Sequence, residues 1–208
     1  MWSSVKFRIK PGFFLLLALS VLLGAGDVLP VLLLAAVCHE GAHLGVLALF
    51  GVPVREVSLT AAGIEIQAPM QTRLSYGREI LAVAAGPVCN LALALLAARW
   101  AGWYLFAGAS FLLGVFNLLP AEALDGGRIL YLALSWAWEP VTAYRICCTV
   151  GRATVLVLLL VLAVLLLATG QGLLLLVGAA ALLPPRSNRG PQGPHRFSLS
   201  GHWRVLRG

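Results

Sequence analysis

Residues 29–50, LPVLLLAAVCHEGAHLGVLALF, form one nearly continuous apolar run. A helix needs about 20 mostly apolar residues to cross a bilayer, and this run has that length. Its exceptions include His39, Glu40 and His43, ionisable residues that lie close together in the sequence. Such groups are costly at membrane depth unless something compensates them. The run therefore predicts a membrane helix that carries a polar site.

The chain as a whole has the composition of a membrane protein. Of its 208 residues, 60% are hydrophobic and only 11% are charged, whereas a soluble domain carries about 25% charged residues. The predicted fold is an all-α polytopic membrane protein of six spans, with a further apolar helix, 126–138, expected to continue the fourth span. The predicted spans are 11–26, 29–50, 77–99, 102–122, 149–169 and 171–184.

The positive charges indicate the orientation in the membrane. The net charge of +7 does not predict a nucleic-acid partner, because Lys and Arg lie between or beyond the apolar runs and form no continuous stripe. With a cytoplasmic N-terminus, fourteen of the fifteen Lys and Arg residues fall on the inside, and Arg99 alone falls outside. Both termini are therefore predicted to be cytoplasmic. The second span then runs inward and carries His39 and His43 in its cytoplasmic half.

Two segments differ from the apolar runs. Residues 54–60 and 63–67 alternate polar and apolar side chains, which predicts a short β-hairpin at the membrane surface. The edge of such a hairpin can pair with an extended peptide, although a solvated connector would have a similar sequence.

The intramembrane domain is expected to cover 1–184. The tail, 185–208, is basic and rich in Pro and Gly, so it is expected to be disordered and to rest on anionic lipid.

His39 and His43 are the candidate metal ligands. Four residues apart on a helix, they occupy one face, one turn above the other, and can share a zinc ion. Glu40 would lie beside the metal and take a proton from its water. The alternative is a set of polar residues that hydrogen-bond within the helix bundle. A metal better compensates ionisable groups at this depth, so the pattern favours zinc.

A hydrolytic zinc site usually has three protein ligands and an open position for water. The carboxylates available as a third ligand are Asp27, Glu79, Glu122, Asp125 and Glu139. Asp125 is expected just inside the cytoplasmic end of the fourth span, at the depth of the two histidines, and the glycines that follow it permit a tight turn. Asp125 is therefore the predicted third ligand, and Glu122 is the second choice.

Three short polar or glycine-containing motifs occur in order along the chain. They are HEGAH at 39–43, AGPVCN at 85–90 and NLLPAEALDGG at 117–127. Together they resemble the site-2 proteases, intramembrane metalloproteases of peptidase family M50. The six-span plan is most similar to the sporulation branch of that family, which cleaves a membrane-associated precursor of a sigma factor.

This resemblance implies a zinc metalloendopeptidase with one zinc ion. His39, His43 and Asp125 would bind the metal, and Glu40 would be the general base. Family members usually have proline where this chain has Ala123, so the turn before Asp125 is expected to be less rigid.

The resemblance also implies that Asn90 and Asn117 help to hold the substrate or the oxyanion. Taken alone, either amide could equally form a hydrogen bond between helices. Gly86 and Pro87 are expected to break or kink the third span rather than to take part in chemistry.

The implied partners are a membrane-embedded or membrane-associated protein substrate and the lipid bilayer, with a regulatory membrane protein or a second copy of the chain as further candidates. The implied location is a bacterial cell membrane.

Two other functions also account for the residues: a membrane transporter or sensor of metal ions, and an inactive scaffold that keeps the protease fold. Glu40 argues against the scaffold, because hydrolysis needs this residue and metal binding does not.

Overall fold

The computed structural model describes residues 6–9, 28–53, 56–60, 63–67 and 74–169. The chain is mostly helical. The predicted spans 11–26 and 171–184, and the tail 185–208, lie outside the described residues. The described helices are α1 (Leu29–Leu49), α2 (Tyr76–Ala97), a short 3-10 helix (Ala101–Trp103), α3 (Tyr104–Asn117), α4 (Asp125–Ala137) and α5 (Pro140–Thr169).

Three of the described helices, α1, α2 and α5, are long and apolar enough to cross a membrane by length and composition. A shorter apolar helical stretch, Ala101–Asn117, lies between α2 and α4. Large apolar side chains are exposed on the outside of the bundle, as Leu95 and Leu167 illustrate. Exposed apolar surface of this extent suits a lipid environment better than water. The chain is therefore a membrane protein, and the total of six spans stays a prediction.

The predicted fourth span, 102–122, is too long. Helix α3 ends at Asn117, and the chain turns before α4 begins at Asp125. Pro120 explains the stop, because proline lacks a backbone N–H and disfavours helical geometry at the residue before it. The helix predicted at 126–138 is thus separate from α3 rather than its continuation.

Two other helix boundaries differ from the prediction. Helix α5 begins at Pro140, well before residue 149, and proline suits the first turn of a helix because no partner for its N–H is needed there. Helix α2 continues through Pro87, so the span is not broken at Gly86 and Pro87, and the kink predicted as the alternative stays a prediction. Neighbouring helices and local adjustments make a proline tolerable inside a membrane helix.

A three-stranded sheet accompanies the helices. Its strands are β1 (Lys6–Ile9), β2 (Glu56–Thr60) and β3 (Gly63–Gln67), in the order β1-β2-β3. Strand β2 pairs antiparallel with β3 and parallel with β1. Both sides of β2 are therefore occupied, and β1 and β3 are the edges of the sheet as far as the described residues form it. Strand β3 also contacts α1, the helix with the two histidines.

Helices α1, α2 and α3 pack against one another around small side chains. The buried cluster consists of Ala35, Ala97, Phe106, Ala107 and Ala109. Alanine lets helix backbones approach closely, which is how membrane helices gain van der Waals contact without a hydrophobic driving force. This packing brings the middle of α2 against the histidine face of α1.

Candidate metal centre

His39, His43 and Asp125 lie together, although Asp125 is far from the histidines in sequence. The Nε2 atoms of the two histidines are 3.2 Å apart. Asp125 Oδ2 lies 3.0 Å from His39 Nε2 and 3.4 Å from His43 Nε2. Both histidines are buried, and Asp125 is nearly so. The three potential donor atoms therefore form a small, almost equilateral triangle.

The size of this triangle fits a tetrahedral zinc ion. Zinc binds histidine nitrogen and carboxylate oxygen at about 2.0–2.2 Å, so adjacent donors in a tetrahedron are roughly 3.3–3.5 Å apart. The observed separations, 3.0 to 3.4 Å, lie at or just below that range. The donor set of two imidazoles and one carboxylate also suits a catalytic site that keeps one position for water.

The backbone of α2 comes close to both histidines of the triangle at Gly86. A methyl group on Gly86 would overlap His43 Nε2 and would lie 2.7 Å from His39 Nε2. Gly86 therefore leaves free the space next to both Nε2 atoms. Sequence reasoning missed this role, because Gly86 was expected only to affect the shape of the helix.

Asp125 is the first residue of α4, and its side chain reaches the two histidines from there. It was expected inside the end of the fourth span, and the early end of α3 explains the difference. The start of α4 packs tightly on the preceding turn: a methyl group on Gly126 would overlap Leu118, and one on Gly127 would overlap the backbone of Ala121. The two glycines thus allow the main chain itself to hold Asp125 in place.

The two asparagines lie in different surroundings. Asn90, on α2, is completely buried, and its Nδ2 lies 3.3 Å from Nδ1 of His39. Asn117 is the last residue of α3, and its Nδ2 donates a 3.0 Å hydrogen bond to the carbonyl oxygen of Leu113 in the same helix. Asn90 therefore contacts a candidate ligand directly, whereas Asn117 has a local partner.

The other acidic residues have different surroundings. Glu79 forms an ion pair of 2.8 Å with Arg128. Glu122 lies in the turn before α4, where burial raises the pKa of its carboxyl and the charge of Arg152 opposes that rise. Asp125 is the only acidic residue that joins both histidines in a potential metal-binding group among the described residues. Glu40, the expected base, follows His39 directly on α1 and is partly buried.

Comparison with known families finds similarity over parts of the chain. The model of peptidase family M50 matches residues 97–159, a range that contains Asp125 and begins after the two histidines. The chain is also similar to two curated proteins. One is Rip3 of Mycobacterium tuberculosis, a candidate zinc metalloprotease by name, at 37% identity over 52% of this chain and 31% of that protein. The other is stage IV sporulation protein FB of Bacillus subtilis, at 27% identity over 63% of this chain and 48% of that protein.

A solved structure shares the fold. The site-2 protease of Methanocaldococcus jannaschii aligns with a TM-score of 0.61 and 21% identity, over 93% of this chain and 98% of that one. The resemblance to the site-2 proteases and to their sporulation branch is thereby confirmed. The chain spans about a third of Rip3 and about half of the sporulation protein.

Proposed function

We propose that this protein is an intramembrane zinc metalloprotease, which hydrolyses a peptide bond in or next to a membrane segment of a protein substrate. The observation that carries the proposal is the triangle of His39, His43 and Asp125, with Glu40 next to His39 on the same helix. Zinc held by these three residues would polarise the scissile carbonyl and lower the pKa of a bound water.

Each residue of the site then has a defined task. His39, His43 and Asp125 would hold one zinc ion through two imidazole nitrogens and one carboxylate oxygen. The Glu40 carboxylate accepts a proton from the attacking water and delivers it to the leaving amide nitrogen. The buried histidines and the backbone of α2 keep bulk water away from the reacting groups.

The substrate must present an unwound peptide bond, because a membrane helix keeps its carbonyls within its own hydrogen bonds. A strand edge at the membrane surface would hold such an extended segment by strand addition. Strand β3 is the edge that we propose for this role, since β2 is paired on both sides and β3 contacts α1. The hairpin predicted from the sequence would thus act as a clamp.

More specific proposals follow from the resemblance. By analogy with the sporulation branch, the substrate would be a membrane-associated precursor of a sigma factor, and the enzyme would lie in a bacterial cell membrane. The distribution of Lys and Arg supports a cytoplasmic location for both termini. The catalytic unit would cover residues 1–184. The relatives favour proteolysis over metal transport. Rip3 is named as a candidate zinc metalloprotease, and the solved structure is that of a site-2 protease.

The test uses the purified full chain in detergent with a membrane-anchored substrate. We expect wild type to cleave it, Glu40→Gln to bind zinc but lose at least about a hundredfold in rate, and His39→Ala to lose both zinc and cleavage. Equal cleavage by wild type and Glu40→Gln would refute the mechanism. Zinc uptake into liposomes by wild type, without cleavage of any substrate, would instead support transport.

A further inference from the structure

Asn90 is a buried amide with one unused polar atom. Its side chain is 0% exposed. Nδ2 lies 3.3 Å from Nδ1 of His39, while Oδ1 has no hydrogen-bond partner among the residues that the structure describes. A buried carbonyl oxygen without a partner is unfavourable, so an unpaired atom beside a candidate metal ligand calls for an explanation.

The chemistry of His39 explains the unpaired oxygen of Asn90. Its Nε2 faces Asp125 and His43 and is therefore the atom that would bind the metal. A neutral imidazole that binds metal through Nε2 carries its hydrogen on Nδ1, and that N–H needs an acceptor. The group next to Nδ1 is the amide of Asn90. A half-turn about its Cβ–Cγ bond exchanges Nδ2 and Oδ1 without changing the shape of the side chain, and brings the unpaired oxygen to this N–H.

We propose that Asn90 is a positioning residue: its Oδ1 accepts the Nδ1–H of His39, fixes that tautomer and holds Nε2 towards the metal. The proposal rests on the proposed zinc site. His43 shows the same arrangement with a different acceptor, since its Nδ1–H donates to the carbonyl oxygen of Ala82 at 2.7 Å. Both histidines would thus be oriented by oxygen acceptors on α2, as metal-bound histidines commonly are by their outer partners.

This role differs measurably from the one that the resemblance implies. If Asn90 binds the substrate or the oxyanion, its removal lowers kcat/KM and leaves the zinc affinity unchanged. If it orients His39, its removal weakens zinc binding whether or not a substrate is present. Zinc affinity therefore separates the two roles without any measurement of activity.

The experiment compares variants of the purified full chain in detergent. Zinc affinity is measured by competition with a chromophoric chelator, and the ligand field is followed through the visible absorption of bound Co²⁺. Asn90→Leu keeps the size of the side chain and removes the acceptor, whereas Asn90→Asp keeps an acceptor. Asn117→Leu is the matched control, since it removes an amide whose partner is a carbonyl of its own helix.

We expect Asn90→Leu to weaken zinc binding about 10- to 100-fold and to alter the Co²⁺ spectrum, the usual effect of losing an outer partner of a ligand. Asn90→Asp should bind zinc within about threefold of wild type or more tightly, because a carboxylate is a stronger acceptor for the same N–H. Asn117→Leu should leave zinc affinity unchanged. If Asn90→Leu does not fold, Asn90→Ala provides the same comparison.

Two results would overturn the inference and leave the protease intact: unchanged zinc affinity in Asn90→Leu, or equal losses in Asn90→Leu and Asn90→Asp. A wild-type protein that binds no zinc would overturn the proposed function and this inference together. Equal cleavage by wild type and Glu40→Gln, with zinc bound in both, would refute the proposed mechanism alone.

Discussion

The Nδ1–H of His43, on α1, donates a 2.7 Å hydrogen bond to the carbonyl oxygen of Ala82 in the main chain of α2. A carbonyl only accepts, so the hydrogen lies on Nδ1, and Nε2 is the ring nitrogen on the side of His39 and Asp125. One helical turn further along α2, Gly86 brings the backbone against both histidine rings. Main-chain atoms of α2 thus form a wall of the candidate metal site.

Gly86→Ala should strongly weaken metal binding without unfolding the protein. Its methyl group would overlap His43 Nε2 and crowd His39 Nε2, so both rings would have to shift. We expect zinc affinity to fall on the order of 100-fold or more, beyond the usual loss from altering an outer partner. Chelator competition measures the affinity. Gly77→Ala is the matched control, because position 77 lies in the same helix with open space around it; a Gly86→Ala protein that binds zinc like this control would contradict the geometry.

Gly127→Ala should destabilise the protein and displace Asp125. The added methyl group would overlap the backbone of Ala121, which cannot move away as a flexible side chain could. Overpacking of this kind costs about 1–3 kcal/mol. Thermal unfolding in detergent should show a lower midpoint than in wild type, together with weaker zinc binding. The corresponding control is Gly108→Ala in α3, where no described residue lies within 4 Å of the new methyl group; equal midpoints for the two variants would disprove the close packing.

The ion pair between Glu79 and Arg128 should stabilise the contact between α2 and α4. The two side chains are only 18% and 11% exposed, and their atoms are 2.8 Å apart. Removing one partner leaves the other charge partly buried, so Arg128→Gln should cost about 2 kcal/mol, somewhat less than a fully buried pair. Unfolding midpoints measure this loss.

A double-mutant cycle gives the energy of the pair itself. Glu79→Gln and Arg128→Gln should be less than additive when combined. Arg78→Gln changes one charge in the same turn of α2 and should have little effect, since Arg78 is exposed beside the ring of Phe50. Strict additivity of the two Gln variants would show that the pair contributes nothing.

Glu122→Gln should change the pH dependence of stability and leave the metal site intact. Burial raises the pKa of the Glu122 carboxyl above its ordinary value of 4.5. The folded state therefore holds the proton more tightly than the unfolded state, and this contribution is present below pH 4.5 and is lost as the pH rises through the folded pKa.

The neutral amide of Gln does not lose a proton. The loss of stability that Glu122 causes as the pH rises should therefore be absent from Glu122→Gln. Unfolding midpoints measured between pH 4 and pH 8 (about the range over which a moderately raised carboxyl titrates) test the expectation. Zinc affinity should match wild type. A large loss of zinc affinity would restore Glu122 as the third ligand in place of Asp125.

The parts of the fold that follow from local sequence could be predicted, and those that depend on packing could not. The apolar run around His39 and its four-residue spacing to His43 predict one helix with both residues on one face. Strand β1 was not predicted, because its partner β2 lies far along the chain and the pairing has no local signal. The end of α3 was placed too late, since the turn at Pro120 occurs within an apolar segment.

The candidate site likewise has features that local sequence predicts and features that depend on packing. Chemistry and expected depth favoured Asp125 among five carboxylates, and the structure brings it together with both histidines, while its role as a ligand stays a prediction. The closeness of Gly86 to the rings, and the amide of Asn90 beside His39, depend on how α2 packs on α1. Neither residue carries a signal for this position in its own type or spacing.

The glycines that contact the main chain or the histidine rings also define a fingerprint for comparing sequences. Relatives that keep the two histidines and Asp125 should keep glycine at positions 86, 126 and 127, where any side chain would collide. Positions 77 and 108 have open space and should vary freely among the same relatives. A chain with the metal donors but a larger residue at position 86 would then be recognisable, from its sequence alone, as one that has lost the site.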